Sequence, residues 1–449
     1  AISSVASAIG NVVKSVVNVV AKAVSSVINF VLQPFLGLFG MPQVPDAAAM
    51  ASKQDGVLIQ RQGSNAAIPV VYGLRKVGSI VTYAETGSDN NQYLWVAHVL
   101  CEGPIEGLYE VFINDYQLSS DTVAKLNASD GAIVDVTDGK FNGRCQMQFF
   151  KGEYYSDPKL SSTVGTISIL KDAPSWKADM VYNGMAVIFA RYYWKKIETQ
   201  ADSDNNPFTG SIPEVKTTVL GKKVASLVIT SPESYTYDLA PIRYSTNPAE
   251  ILLDYLRNPR YGKGLKNSDI DWTTWKQSCA KCNTEVTYLT GNGIKGPIMT
   301  CNTVIDTGAT IFQNVKTLLM GFRAYMPYVQ GKYKLRIEDA GNATDITSGV
   351  ATIVATFTPD NIQGNVTFTG IDKSAKYNQI SVTYVDPDNK YSTQQVIYPE
   401  TEAERQTYID MDGGRENKQE VTFPTITNYA MAKDFARLLF NKSRRQESC

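Results

Sequence analysis

The residues able to do chemistry are few in this chain and poorly grouped for it. Its 449 residues include one histidine, His98, and six cysteines. A single imidazole leaves almost no material for a histidine-based triad or a multi-histidine metal site. His98 also falls between hydrophobic neighbours in Tyr93-Leu-Trp-Val-Ala-His-Val-Leu-Cys, which reads as a core or edge position of a strand. Cys279 and Cys282 form a C-x-x-C pair, and Cys301 follows in Met299-Thr-Cys-Asn. A zinc or iron–sulfur site would need a fourth ligand from Cys101, Cys145, Cys449 or another chain. Buried thiols or a single disulfide are the simpler reading. Asp202, Asp204 and Asn206 have the spacing of a calcium-loop start. Pro207, however, stands where such a loop needs glycine, and no carboxylate falls at its twelfth residue, so we reject calcium. Glu102 and Glu106 are the nearest approach to a carboxylate pair for a cell-wall glycan hydrolase. They share one tight turn and are more simply turn residues.

Lysine and arginine total 43 against 44 acidic residues, so no net charge favours nucleic acid or an anionic membrane. The length leaves room for roughly two to four domains with sizeable cores. Twenty-five tyrosines, 32 glycines and 19 prolines among short alternating stretches point to an α+β, mainly β protein.

Asn247–Leu265 is the most legible element. Asn247 is a good N-cap, Pro248 suits the first helical position, and Glu250 stands where its carboxylate can reach back to the cap amide. Ile251, Leu252, Tyr255 and Leu256 mark one apolar face, and Asn258 before Pro259 ends the helix. Arg260, Tyr261, Gly262, Lys263 and Gly264 make a basic, aromatic bend into a second helix start at Ser268, with Asp271 three residues on. Strands are expected around Ile68–Gly73, Ser79–Tyr83, Tyr93–Cys101, Val111–Asn114, Cys145–Phe150, Met185–Tyr193 and Val224–Thr230, with a polar loop at 201–210. A helix over Ala309–Gly321, capped by Asp306 or Thr307, carries Ile311, Phe312, Val315, Leu318, Leu319 and Phe322 on one face. A hairpin turning at Gln330-Gly331 follows, with Lys332, Lys334 and Arg336 on its solvated face. Further strands are expected at Ala351–Phe357, Asn365–Thr369 and Tyr377–Val385, and a last helix at Asn428–Asn441.

The N-terminus is different in character. Between Ile9 and Leu32 polar residues recur every three or four positions, so Val12, Val16, Val20, Val24, Val27 and Val31 belong to a helix that is apolar around most of its circumference. Lys14 and Lys22 interrupt it as a transmembrane span. It reads as a helix packed in an oligomer or against a partner; the alternative is a segment that enters a membrane interface.

Three motifs in order resemble the central tail-tip proteins of long-tailed bacteriophages, the tip attachment or baseplate hub family that includes the tip protein of phage lambda. They are the strand Ile68, Pro69, Tyr72, Gly73, the turn Glu102, Gly103, Pro104, Glu106, Gly107 with a short strand ending at Asn114, and the segment from Asn247 and Pro248 through Asn258, Pro259, Arg260, Tyr261, Gly262 and Gly264. Lys376–Asn389 resembles the family again. The resemblance implies two hub-type β-barrels flanking a small α/β domain, behind the N-terminal amphipathic helix. Expected boundaries are a helix over 1–40, a linker over 41–54, a first barrel over 55–240, the α/β domain over 241–342 and a second barrel over 343–449 that continues beyond Cys449. In the family a cysteine is common in each of the two places, so Cys301 is expected to pair with or pack on Cys279 or Cys282. Iron–sulfur clusters occur in neighbouring tail-tip proteins and are the alternative; otherwise no cofactor is expected.

The function implied is structural, not enzymatic. It is a homotrimeric hub in the virion tail tip that closes the tube, carries receptor-binding elements, and opens for tape-measure protein and DNA. The partners implied are other tail-tip and distal tail proteins, the tape-measure protein, a host receptor indirectly, and DNA only in transit. The rivals are a β-rich glycan hydrolase and a membrane-active protein using residues 9–32.

Overall fold

The computed structural model describes residues 61–62, 66–87, 91–128, 131–153, 167–177, 180–208, 211–227, 241–287, 295–338, 358 and 376–445. The expected N-terminal helix with Val12 to Val31, and the expected strands Ala351–Phe357 and Asn365–Thr369, lie outside these. Contacts divide the chain into two compact units, one holding residues 55–267 and 301–318 and the other 268–300 and 319–449.

The strands of the first unit begin with β1 (Arg61–Gln62), β2 (Val70–Tyr72), β3 (Leu74–Gly78), β4 (Ile80–Gly87), β5 (Tyr93–Glu102), β6 (Ile105–Ile113) and β7 (Tyr116–Gln117). Helix α1 (Ser120–Ala128) precedes β8 (Ile133–Asp135), β9 (Cys145–Phe150) and β10 (Met185–Tyr193). Helix α2 (Gln200–Asp204), β11 (Val215–Ala225), β12 (Ile242–Tyr244) and helix α3 (Pro248–Arg257) follow. Next come α4 (Trp272–Cys282), β13 (Glu285–Thr287) and β14 (Lys295–Pro297) of the second unit, then β15 (Thr303–Ile305) and α5 (Ile311–Gly321). The chain continues with β16 (Ala324–Tyr325), β17 (Tyr328–Val329), β18 (Lys332–Tyr333), β19 (Arg336–Ile337), β20 (Gln379–Asp386) and β21 (Ser392–Tyr398). It ends in α6 (Glu402–Met411), β22 (Lys418–Thr422) and α7 (Tyr429–Arg445). The described protein is thus α+β and mainly β.

In the first unit a six-stranded sheet runs β1-β4-β5-β10-β9-β8. Its central strands β5 and β10 read as near-continuous apolar runs, interrupted at His98 and Arg191, because both faces are covered. Alternation sends Val96, Leu100, Ile188 and Ala190 into one core, and Trp95, Ala97, Val99, Val187 and Phe189 into a second, capped by Ile169 and Leu170. The other sheet is built on β11, which pairs with β6, β3 and β12, while β15 pairs with β2. In the second unit β20 lies between β21 and β22, and α7 packs on that sheet through Phe435 against Phe423 and Phe440 against Tyr398.

Several expectations need correction. Of the strand expected at Val224–Thr230, residues 228–230 lie outside the described residues; the strand described here is Val215–Ala225, and Ser226 and Leu227 have left it. Lys216, Gly221, Lys222 and Lys223 interrupt its apolar pattern and hide it, yet Lys222 is buried and Gly221 presses on Val71, where a Cβ would lie 2.4 Å from the carbonyl oxygen. Residues 200–204 are one helical turn and not a loop, because Thr199 and Asp202 cap each other reciprocally. Helix α4 begins after Asp271, whose side chain accepts from Thr274 N, so Asp271 and not Ser268 is its cap. Helix α5 begins after Thr310, whose hydroxyl accepts from Gln313 N; Asp306 instead accepts from Gly308 N in the preceding turn. Its leading residues Ile311 and Phe312 are exposed, so the apolar face is buried only from Val315 onward. Helices α1 and α6 were not expected at all. Helix α7 is capped by Asn428 and runs to Arg445.

Candidate functional site

The first unit brings the three motifs to one junction. The Asn247 side chain accepts from Ala249 N and Glu250 N and so starts α3 as expected. Glu250 does not complete the capping box. It is buried and accepts from Leu227 N, the Arg243 guanidinium and the Ser245 hydroxyl, while the Asn247 amide donates to Ser245 Oγ. Asn258 turns extended before Pro259, its carbonyl accepts from both Gly262 N and Gly264 N, and Leu265 N returns to Leu256 O. Those bonds satisfy carbonyls that the end of a helix leaves open. The bend closes so tightly that a Cβ on Gly262 would lie 1.7 Å from Tyr255 O.

Fixed in this way, the bend delivers Arg260 and Tyr261 to the other two motifs. Arg260 Nη2 lies 3.0 Å from Glu102 Oε1 at the end of β5. Tyr261 stacks on Tyr255, with 6.1 Å between ring centroids. The ammonium of Lys222, from β11, lies 5.8 Å from the Tyr261 ring centroid and donates to Gly103 O at 3.3 Å. Tyr72, fully buried on β2, donates to Asp254 Oδ2 on α3 at 2.6 Å. The Tyr261 hydroxyl is buried without a well-formed hydrogen bond, within electrostatic reach of Asp254 and Tyr72.

Backbone contacts tie the same strands. Glu102 N donates to Pro69 O, and Lys223 N to Pro104 O. Gly73, at φ +68°, leaves room for Asn302, whose Oδ1 accepts from Leu74 N at 2.8 Å. Ile68 accepts from the Thr307 hydroxyl through its carbonyl. Gly107 lies against Asn127, which bonds to both backbone groups of Leu108.

The junction is a compensated polar core. Burial pushes the Asp254 and Glu102 carboxyls up, while Lys222 pulls both back and Arg260 pulls Glu102. Tyr72 is held well above the usual tyrosine range by burial and by Asp254. Two cations facing two carboxyls in a partly dry site resist separation, because removing one partner leaves a buried charge uncompensated. Glu102 is buried in its ion pair, while Glu106 is exposed on the next strand.

His98 is fully buried, with Ser79 Oγ 3.0 Å from Nδ1 and the Tyr192 hydroxyl 3.3 Å from Nε2; burial lowers its pKa to about 3. It is a core residue. Cys279, Cys282 and Cys301 are buried thiols, as are Cys101 and Cys145, and burial pushes Cys301 up to about 12. Among the described residues no group of three or more His, Cys, Asp or Glu side chains is placed to hold a metal ion.

Sequence reasoning missed Asp254, Lys222 and Asn302. Asp254 carried a signal, since it follows Ile251 by three residues and so borders the apolar face of α3. Lys222 and Asn302 carried none.

Comparisons with known proteins point one way. Residues 318–448 match a family described as "Putative phage tail protein". Over 426 residues, 84% of the chain, the sequence is 24% identical to baseplate hub protein pb3 of Escherichia phage T5, and it spans 41% of that relative's length. Among solved structures it is similar to a chain in the virion of a native gene transfer agent particle. The TM-score is 0.53 at 12% identity, covering 99% of this chain and 84% of that one, a likeness of fold.

Proposed function

We propose that the chain is a phage tail protein of the tail-tip hub family and a component of the virion, and that three copies form the hub that closes the tail tube, a reading its similarities support. On this reading the sheets of the first unit contribute to one hub barrel and the β21-β20-β22 sheet of the second unit to another. Three copies with two such barrels each would approximate a six-fold ring and match the tail rings above. The work is mechanical and draws on no cofactor. The hub carries receptor-binding elements, contacts the distal tail and tape-measure proteins, and opens when a receptor is engaged so that DNA passes. The near balance of 43 basic and 44 acidic residues suits a wall that DNA must slide past, since a dense cationic lining would hold it.

The observation that carries this reading is the likeness to a baseplate hub protein over 84% of the chain. The polar junction accords with it, since it pins β2, β5, β11 and α3 to one another. Light scattering on the unreduced protein, with an absorption spectrum of the same sample, tests the reading. A three-chain mass with no visible chromophore is expected. A single-chain mass at every concentration, together with no three-chain species after cross-linking of the virion, would contradict it.

A further inference from the structure

The face of the six-stranded sheet that carries the second core is only half roofed. On β5, Tyr93, Trp95, Ala97 and Val99 share that face by alternation, and the register sets Tyr193, Arg191, Phe189 and Val187 of β10 beside them. Gln146 of β9 stands opposite Arg191, and Asp135 of β8 opposite Gln146. Residues 167–176 cross the apolar half, where Ile169, Leu170 and Ala173 complete the core. Ser175 Oγ donates to Glu85 Oε1 at 2.6 Å, and Trp95, opposite Glu85 in the register, is 2% exposed. Past Trp95 the cover stops.

What is left open is a continuous strip across four strands. Asp135 is exposed, and its Oδ1 accepts from Gln146 Nε2 at 2.6 Å. Gln146 Oε1 accepts in turn from Arg191 Nη2, and Asp172, in the covering segment, lies 3.9 Å from Arg191 Nη1. The Arg191 guanidinium carbon is 5.4 Å from the centroid of the Tyr93 ring, and the Tyr93 and Tyr193 rings are 5.1 Å apart. Three strand spacings make the strip about 14 Å long.

The chemistry of the strip is selective. Arg191 commits one N–H to Gln146, so most of its five donors remain for a ligand, and its side chain is 30% exposed. The hydroxyls of Tyr93 and Tyr193 make no hydrogen bond among the described residues. Donors and acceptors therefore stand side by side next to two aromatic rings. A pyranose ring matches that pattern, because its hydroxyls both donate and accept while its C–H faces are apolar and pack on aromatic rings. The charges disfavour a polyanion, since the one guanidinium is flanked by Asp135 and Asp172, whose carboxylates repel phosphates or uronates.

We propose that this strip binds a neutral saccharide chain, with a sugar ring against Tyr93 and Tyr193 and its hydroxyls held by Arg191, Gln146 and Asp135. The site lies wholly within the first unit and does not depend on how many copies assemble, so it goes beyond the hub reading. It gives the chain a glycan contact of its own.

A glycan array carrying neutral glucose, mannose, galactose and N-acetylglucosamine oligomers beside acidic uronate oligomers, probed with the full chain, tests this. Calorimetry with the best-bound neutral oligomer then gives the affinity. Retention of a neutral oligomer of three or more sugars is expected, with an affinity that hardly changes between low and high salt. Arg191→Lys keeps the charge and loses the planar fork, and Asp135→Ala removes an exposed acceptor; each should raise Kd at least about tenfold. Thermal melts of Asp135→Ala should match the parent, so its loss of affinity is not a loss of fold. Tyr109→Ala, 59% exposed on β6 of the other sheet, should bind as the parent does. Retention of no neutral oligomer, a preference for the uronates, parent-like affinity in either strip variant, or an equal loss in Tyr109→Ala would each overturn the site. None of these results bears on the number of copies, which the mass measurement decides.

Discussion

Acidification from about pH 7 to about pH 5 should cost this fold roughly 2 kcal/mol through His98 alone. The ring is fully buried between Ser79 and Tyr192, and burial lowers its pKa from 6.5 to about 3. The folded state therefore keeps it neutral, while the unfolded chain takes up a proton below 6.5. Stability from this group is complete above 6.5 and is lost progressively as pH falls toward about 3. Each unit below the unfolded value is worth about 1.4 kcal/mol, and about one and a half units separate that value from pH 5. Asp254 and Glu102 act with the opposite sign: burial raises them, so their folded forms bind protons first and stability rises as pH falls through the range just above 3.8 and 4.5. Comparison with His98→Gln removes their contribution. Urea midpoints followed by tryptophan fluorescence across this range should show a pH slope in the parent protein that flattens in the variant. His98 is the only histidine in the sequence, so its ring resonance is also assignable at once. Equal slopes in both proteins, or a ring titrating near 6.5, would refute the reasoning.

Other expectations follow from the junction and the caps. Gly262→Ala should destabilise by at least about 3 kcal/mol in urea unfolding, because its Cβ would meet Tyr255 O at 1.7 Å and Asn258 O at 2.8 Å, and carbonyls cannot swing aside. Gly264→Ala, at φ +67° with its nearest neighbour 3.6 Å away, should cost only about 1 kcal/mol in the same assay. Tyr72→Phe removes the 2.6 Å bond to the Asp254 carboxyl and should cost about 1.5–3 kcal/mol, with Asp254→Asn in the same background adding little if the pair acts as a unit. Asp271→Ala should cost about 1 kcal/mol by thermal melt, whereas Ser268→Ala should be near neutral.

What the sequence disclosed follows from which interactions are local. Helix α3 was readable because its cap, its apolar face and its proline stop lie within the one short stretch Asn247–Pro259. Strands β5 and β10 were readable as apolar runs. The role of Glu250 was not, because Leu227 lies 23 residues upstream and Arg243 and Ser245, though near, stand in no recognisable pattern with it; together they outcompete the local cap. Strand β11 was hidden because a buried lysine and a glycine in tight backbone contact look like loop residues until their neighbours are known. Helix α6 was missed because it buries nothing, so it carries no apolar period to detect. The motifs at Ile68–Gly73, Glu102–Gly107 and Asn258–Gly264 could be recognised as wording, but their convergence on Asp254 and Lys222 is a property of the fold.

The central claim is that this chain builds a trimeric hub at the tail tip, and a cryo-electron microscopy reconstruction of the virion's tail end tests it most directly. The account predicts three copies of the fold around the tail axis. One copy, or six, or density for the chain away from the axis would contradict it.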